Sequence, residues 1–251
     1  MGVGVGGEGE RRAELAANLA AVRARVARAC ADADRDPDEV TLIAVTKTYP
    51  ASDVQLLAAL GVHDIGENRD QEAAPKAREV AAAAAPVRWH FVGRLQRNKA
   101  RSVTAYADLV HTVDGVRLAD ALAEAARRHQ RVLDVLVQVS IDGDPARGGA
   151  VAAGRDSTTV EEDRTLDRIL ARVAGSDALA LRGLMAIAPL DWEPDRAFAD
   201  LARIAAKVRA THPAATVLSA GMSGDMESAL RHGATHLRVG TALLGNRPTL
   251  M

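Results

Sequence analysis

A lysine closes the run TLIAVTK at residues 41–47, where β-branched and apolar residues lead straight into a cation. On the wall of a mouth, flanked by Val45, Thr46 and Tyr49, the Lys47 amine would be partly desolvated. Desolvation disfavours the ammonium and frees the amine to attack a carbonyl. The competing reading is a snorkelling lysine that keeps its head in solvent, and this stretch alone leaves both open. Two later segments carry a different chemistry. SAGMSGD (219–225) runs from Ser219 through Met222 to Ser223, with Ser223 and Asp225 suited to the N-cap region of a helix. RVGTALLG (238–245) sets Gly240 and Thr241 at the start of a last helical turn. Hydroxyls and backbone N–H groups so placed can hold an anion, although turn and capping needs account for the same residue types. Together, a carbonyl-seeking amine and a phosphate cradle suggest one ligand, an aldehyde that carries a phosphate: pyridoxal 5′-phosphate (PLP). Arg238 projects to the face of Gly240 and could meet the pyridine nitrogen. A guanidinium stays charged, so that nitrogen would remain unprotonated and the cofactor would be a poor electron sink.

These residues need a scaffold that brings distant strand ends together. Strand-like runs fall at 41–47, 62–68, 87–93, 108–114, 132–141, 181–188, 215–221 and 236–242. Helical patterns lie between them at 52–60, 69–84, 96–105, 115–130, 159–175, 194–211 and 224–232, after an amphipathic opening helix from Glu10 to Ala31. Eight βα units predict a closed (β/α)₈ barrel with an extra N-terminal helix, and an open doubly wound sheet is the alternative. The absence of GxGxxG after the first strand weakens the dinucleotide-binding form of that alternative. In such a barrel, chemistry sits at the C-terminal strand ends, and phosphate sites form after strands seven and eight. Residues 1–9 read as a flexible Gly-rich start and 10–251 as a single domain. The irregular stretch 142–163 is long enough to be functional or mobile and falls at the mouth after strand five.

Composition narrows the field further. Basic and acidic residues nearly balance at 32 and 33 and are spread along the chain, which argues against a nucleic-acid surface. The single Cys30 cannot form an internal disulfide and sits in a helical Ala/Arg pattern, as a buried small hydrophobe would. No signal peptide or membrane-length apolar run is present, so the expectation is a soluble cytoplasmic protein. The other histidines show no metal-ligand spacing. Glu67 and Asp114 could orient neighbours at the mouth or simply cap helices.

The segments LIAVTKTYP, GENRDQEA, WHFVGRLQRNK, VHTVDGVRLA, VLVQVSIDGD, LRGLMAIAP, LSAGMSGDMESAL and GATHLRVGTALLG occur in order over nearly the whole chain. In them the sequence resembles the pyridoxal phosphate homeostasis protein family, single-domain relatives of the alanine racemase barrel. The resemblance implies a fold-type III site with PLP as a Schiff base on Lys47. It implies phosphate held by Ser219, Ser223, Gly240 and Thr241, Met222 in the turn beside it, and Arg238 near the ring nitrogen. Asn68 would line the cofactor pocket, and His90 would belong to the pocket wall. Departures are Arg147 where a lysine is frequent, a longer insertion to about residue 163, Ala220 where a bulkier residue is common, and Gly224 within the phosphate turn.

Three functions use this equipment. A PLP carrier would hold vitamin B6 coenzyme without amino-acid turnover, with apo PLP-dependent enzymes as candidate recipients. A fold-type III racemase or decarboxylase would need acid/base groups on both faces of the bound substrate. In two-domain racemases one is a tyrosine from a second domain, for which the chain past its last strand leaves no room. Neither Tyr49 nor Tyr106 sits where that base would come from. A Schiff-base aldolase acting on a sugar phosphate would use the lysine without cofactor, but no acid/base partner for it stands out. The carrier is favoured, as a monomer.

Overall fold

The computed structural model describes residues 5–144, 148–152 and 162–245. Eight parallel strands close in sequence order, the last pairing with the first, which excludes the open-sheet alternative. They are β1 (Thr41–Val45), β2 (Asp64–Glu67), β3 (Arg88–Phe91), β4 (Leu109–Val113), β5 (Leu133–Gln138), β6 (Leu179–Met185), β7 (Val217–Ser219) and β8 (His236–Val239). Between β6 and β7 the backbones approach closely at Gly183. Gly183 has φ near +152°, and a Cβ there would lie 1.8 Å from the Val217 carbonyl oxygen, so only glycine permits the pairing.

The helices alternate with the strands: α1 (Val5–Ala31), α2 (Ala51–Ala59), α3 (Asp70–Ala82), α4 (Ala100–Thr104), α5 (Val116–Arg128), α6 (Leu166–Ala174), α7 (Pro194–Thr211), α8 (Met226–Arg231) and α9 (Thr241–Leu244). Each lays an apolar stripe on the barrel. On α5 it is Leu118, Ala119, Leu122, Ala123 and Ala126, and on α6 Leu166, Ile169, Leu170 and Val173, all buried at the spacing of one helix face. The main core is this shell between strands and helices, built from Ala, Val, Leu and Ile because aromatics are scarce. Cys30 lies buried within it.

The barrel interior is different. Leu109, Leu136 and Met185 form a small separate apolar cluster, while His90, His111, Ser219 and Arg238 are buried as polar groups.

Two expectations change. α1 starts at Val5, so residues 5–9 are helical rather than an irregular lead-in. Glycine costs about 1 kcal/mol per position in a helix, which a long nucleated run tolerates at its end. α6 starts at Leu166, several residues later than the pattern predicted. Of the 142–163 stretch, Ala150 and Val151 are pinned by isolated bridges to Val139 and Thr165. Arg147 and residues 153–161 lie outside the described residues.

Candidate functional site

The chain brings its strand ends together around a cavity of about 510 Å³ at the C-terminal mouth of the barrel. That size suits a small-molecule ligand. Seven of the nine residues singled out in the sequence line it: Lys47, Asn68, Met222, Ser223, Arg238, Gly240 and Thr241. The remaining two, His90 and Ser219, do not.

Lys47 stands two residues past β1, half-buried, and among the described residues its amine has no hydrogen-bond or ion-pair partner. A local device sends it there. Thr48 adopts φ +70°, a left-handed conformation unusual for a β-branched residue, and donates its N–H to Glu72 Oε2 at 3.1 Å. Beside it, Tyr49 lines the cavity with its ring while its hydroxyl donates to the Gly245 carbonyl at 2.9 Å. Glu67, at the end of β2, is not a mouth residue. It is fully buried, accepting from Lys76 Nζ at 2.5 Å and Thr46 Oγ1 at 2.7 Å. Burial pushes its carboxyl up against the pull of Lys76 and Thr46. This buried pair ties α3 to the segment that carries Lys47, because Lys76 also donates to the Thr46 carbonyl at 2.9 Å.

Asn68 is held by backbone packing. A Cβ on Gly93 would lie 2.0 Å from the Asn68 carbonyl oxygen, so Gly93 lets the loops after β2 and β3 touch. The Asn68 side-chain oxygen is buried and has no hydrogen-bond partner. A buried acceptor left unmatched costs stability and marks a place where a ligand donor would be satisfied.

Arg238 is buried on β8, the strand that pairs with β1. Its Nη1 donates to Ser219 Oγ at 2.7 Å and its Nη2 to the Ala186 carbonyl at 2.9 Å. Burial pulls the guanidinium down to about 10, against a smaller pull from Asp225. The group remains a cation at neutral pH, with no carboxylate on it among the described residues.

The third wall is formed by two turns. In the first, Met222 N–H donates to Asp225 Oδ1 at 2.6 Å, which closes the loop between β7 and α8. Gly221 is required there: at φ +90° a Cβ would meet Ala229 at 2.7 Å and Leu237 at 2.9 Å. No hydrogen bond of these turns uses the N–H of Ser223, Gly224 or Thr241, and a Cβ on Gly224 would meet nothing within 4 Å. Such N–H groups, with the Ser223 and Thr241 hydroxyls, form a surface ready for an anion.

α1 braces both turns. Arg25 Nη2 donates to the Ser223 carbonyl at 3.1 Å and pairs with Glu227 at 2.7 Å, while Asn18 Nδ2 donates to the Leu243 carbonyl at 3.1 Å. Arg11 links α2 and α9 by donating to Asp53 at 2.6 Å and to the Leu244 carbonyl at 3.1 Å.

His90 and Ser219 therefore need correction. Both point into the barrel, but beneath the cavity. His90 lies between Asp64 and His111, and the Ser219 hydroxyl sits between Arg238 and His111. Strand alternation gives a residue's face, not its height, so a lower layer reads like the wall. Arg94, Val92 and Ile187 line the cavity and were missed. Arg94 had one signal, a charge directly after the strand-ending Gly93. Among the described residues no group of three or more His, Cys, Asp or Glu could hold a metal ion, and no helix is long and apolar enough to cross a membrane.

The family model of the alanine racemase N-terminal domain matches residues 17–248. A pyridoxal phosphate homeostasis protein of Mycobacterium bovis is 48% identical, with 95% of each chain covered. One from Escherichia coli K12 is 37% identical, over 93% of this chain and 97% of its own. Among solved structures, PipY of Synechococcus elongatus with PLP bound superposes with a TM-score of 0.75 at 33% identity, covering 92% of this chain and 100% of PipY. Alanine racemase of Corynebacterium glutamicum shares the fold, with a TM-score of 0.67 at 15% identity over 95% of this chain and 62% of its own. With such identities sustained along most of its length, the chain belongs to the pyridoxal phosphate homeostasis protein family, built on the barrel of the alanine racemase N-terminal domain.

Proposed function

We propose that the chain binds PLP in the C-terminal cavity and takes part in intracellular vitamin B6 homeostasis, holding the coenzyme without amino-acid turnover. The observation that carries this reading is one cavity with an unpartnered lysine and a carboxylate-free arginine on its walls and unused N–H groups at its rim. When bound, PLP supplies an aldehyde that condenses with an amine and a ring that can take up negative charge. Lys47 would hold the aldehyde carbon as a Schiff base. Ser223, Gly224, Gly240 and Thr241 would grip the phosphate through hydroxyls and backbone. Arg238 would face the ring nitrogen as a fixed donor and keep it unprotonated, which suppresses carbanion chemistry. Asn68 would offer its unmatched oxygen or its amide to the ring substituents.

The non-catalytic part rests on what the site lacks among the described residues. Racemisation needs a second base facing Lys47 across the substrate. The Tyr49 hydroxyl is engaged by the Gly245 carbonyl. Tyr106 packs edge-on against Trp89 away from the cavity, and burial pushes its hydroxyl far above the ordinary tyrosine value. The relatives named as homeostasis proteins are consistent with that reading, and the PLP-bound PipY supports PLP as the ligand. Passage of PLP to apo-enzymes, a monomeric state and a cytoplasmic location belong to the proposal as well.

Purified protein should be yellow, and borohydride should fix a phosphopyridoxyl group on Lys47. Lys47→Ala should lose the visible band. Amino-acid turnover that disappears in Lys47→Ala would sink the carrier reading in favour of a racemase or decarboxylase. A colourless protein that takes up no PLP would sink both.

A further inference from the structure

Beneath the cavity floor five side chains form one hydrogen-bonded line through the barrel. Arg238 Nη1 meets Ser219 Oγ at 2.7 Å, and Ser219 Oγ meets His111 Nδ1 at 3.0 Å. Next, His111 Nε2 meets His90 Nδ1 at 2.9 Å, and His90 Nε2 meets Asp64 Oδ1 at 2.8 Å. The line crosses from β8 through β7, β4 and β3 to β2. Its inner members are buried, whereas the Asp64 side chain is 26% exposed and lines a second cavity of about 490 Å³ at the other end of the barrel.

The chemistry of the donors fixes the polarity of this line. A guanidinium has no acceptor, so Arg238 donates to Ser219. The Ser219 hydroxyl then donates to His111 Nδ1, which puts the His111 proton on Nε2. That proton is donated to His90 Nδ1, so the His90 proton also sits on Nε2 and is donated to the Asp64 carboxylate. Every group is matched once in this arrangement, with both imidazoles neutral. The reverse polarity would need a doubly protonated His90 and would give Ser219 two donors and no partner for its own hydrogen. Burial, helped by the charge of Arg238, holds His111 well below its ordinary value, in keeping with the neutral form.

We propose that Ser219, His111, His90 and Asp64 are positioning residues that orient Arg238 toward the cavity and connect its charge to a carboxylate at the far end of the barrel. No carboxylate touches Arg238 among the described residues, Asp225 acting on it only through its charge, and a polarised chain ending in Asp64 is its hydrogen-bonded link to an anion. The setting of Arg238, and hence its effect on a pyridine nitrogen, is then adjustable from the opposite face of the molecule. This rests on the PLP reading only for its last step. The chain itself can be tested without cofactor.

The test has two arms. In protein without PLP, nitrogen-15 NMR of the histidine side chains should show both His90 and His111 as Nε2–H tautomers. Asp64→Asn keeps an acceptor of the same shape and removes the charge, so it should fold. It should shift the His111 ring nitrogens and the Arg238 side-chain signals, whereas Asp38→Asn, in the same lower cavity but off the line, should not. In PLP-loaded protein, Ser219→Ala and Asp64→Asn should displace the visible band in the same direction, and Ser219→Ala should weaken binding roughly ten-fold. A His111 with its proton on Nδ1, or Asp64→Asn with unmoved His111 and Arg238 signals, overturns the proposal. Failure of PLP to bind at all would sink the functional reading while leaving the NMR arm decisive for the line itself.

Discussion

Thr48 concentrates the strain of the site in one residue. Its left-handed backbone, with φ +70°, turns the chain immediately after Lys47, and the bond from its N–H to Glu72 helps to hold that turn. A β-branched residue there costs on the order of 1–2 kcal/mol relative to one that tolerates the conformation. Thr48→Asn is therefore expected to raise stability by about 0.5–1 kcal/mol, read from urea denaturation, while leaving the Lys47 adduct intact. Lower stability would show that the threonine side chain contributes more than its backbone costs. At this scale the sequence was most informative about Lys47, because a charge ending a β-branched run is a local signal, and about Arg238, which shares a strand face with Gly240 two residues on. It was silent about Thr48, since no glycine or asparagine announces the left-handed turn. It also placed His90 and Ser219 on the correct face but at the wrong depth: His90 pairs with Gly66 and Leu109, below the level of the cavity-lining Val92.

Among the elements, α1 stands apart from the eight-fold repeat. Its apolar residues Leu15, Leu19, Val22 and Val26 pack into the common core at helical spacing, and its polar edge reaches the carbonyls of both rim turns. The pattern of apolar residues made the helix legible. The task of Arg25 was not, because an Arg/Ala-rich helix offers many equivalent arginines and only the fold selects the one that reaches Ser223. Arg25 and Glu227 are both partly exposed, so losing their ion pair should cost no more than about 1 kcal/mol. The carbonyl contact matters differently. Arg25→Ala should weaken PLP binding several-fold by loosening the turn, with little change in free pyridoxal binding. Equal loss for both ligands would assign Arg25 to general stability instead. The start of α6 was misplaced because a separate short 3₁₀ turn, Glu162–Arg164, precedes it, and β6 was shifted by two to three residues because short apolar runs leave strand ends open.

Across the whole molecule, the polar interior makes stability depend on pH. Burial lowers His236 from 6.5 to about 4 and holds His111 well below 6.5. The unfolded chain therefore takes up protons first as the pH drops below 6.5. The stability these two histidines allow is complete above that value and declines as the pH falls toward 4, at roughly 1.4 kcal/mol per pH unit for each. For Asp64, burial pushes the carboxyl up, but the hydrogen bond from His90 and the charge of Arg88 more than reverse this, leaving it below 3.8. Its contribution is present above 3.8 and is lost only at lower pH. Urea midpoints at pH 7, 6 and 5 should fall steadily, and His236→Gln should flatten the slope. A flat wild-type profile would mean that both rings stay accessible to protons in the folded state. The barrel itself was legible from the alternation of strand and helix patterns. Its polar centre was not, because inward-facing histidines look like any other residue of an alternating strand.

The grip of α1 on the two rim turns also has a kinetic consequence. A ligand that drew Ser223 and Thr241 inward would tighten the carbonyls that Arg25 and Asn18 hold from behind. Coenzyme loading should then slow amide hydrogen exchange in the middle of α1, a helix that does not touch the ligand, so that the occupancy of the mouth is reported on the outer surface of the barrel.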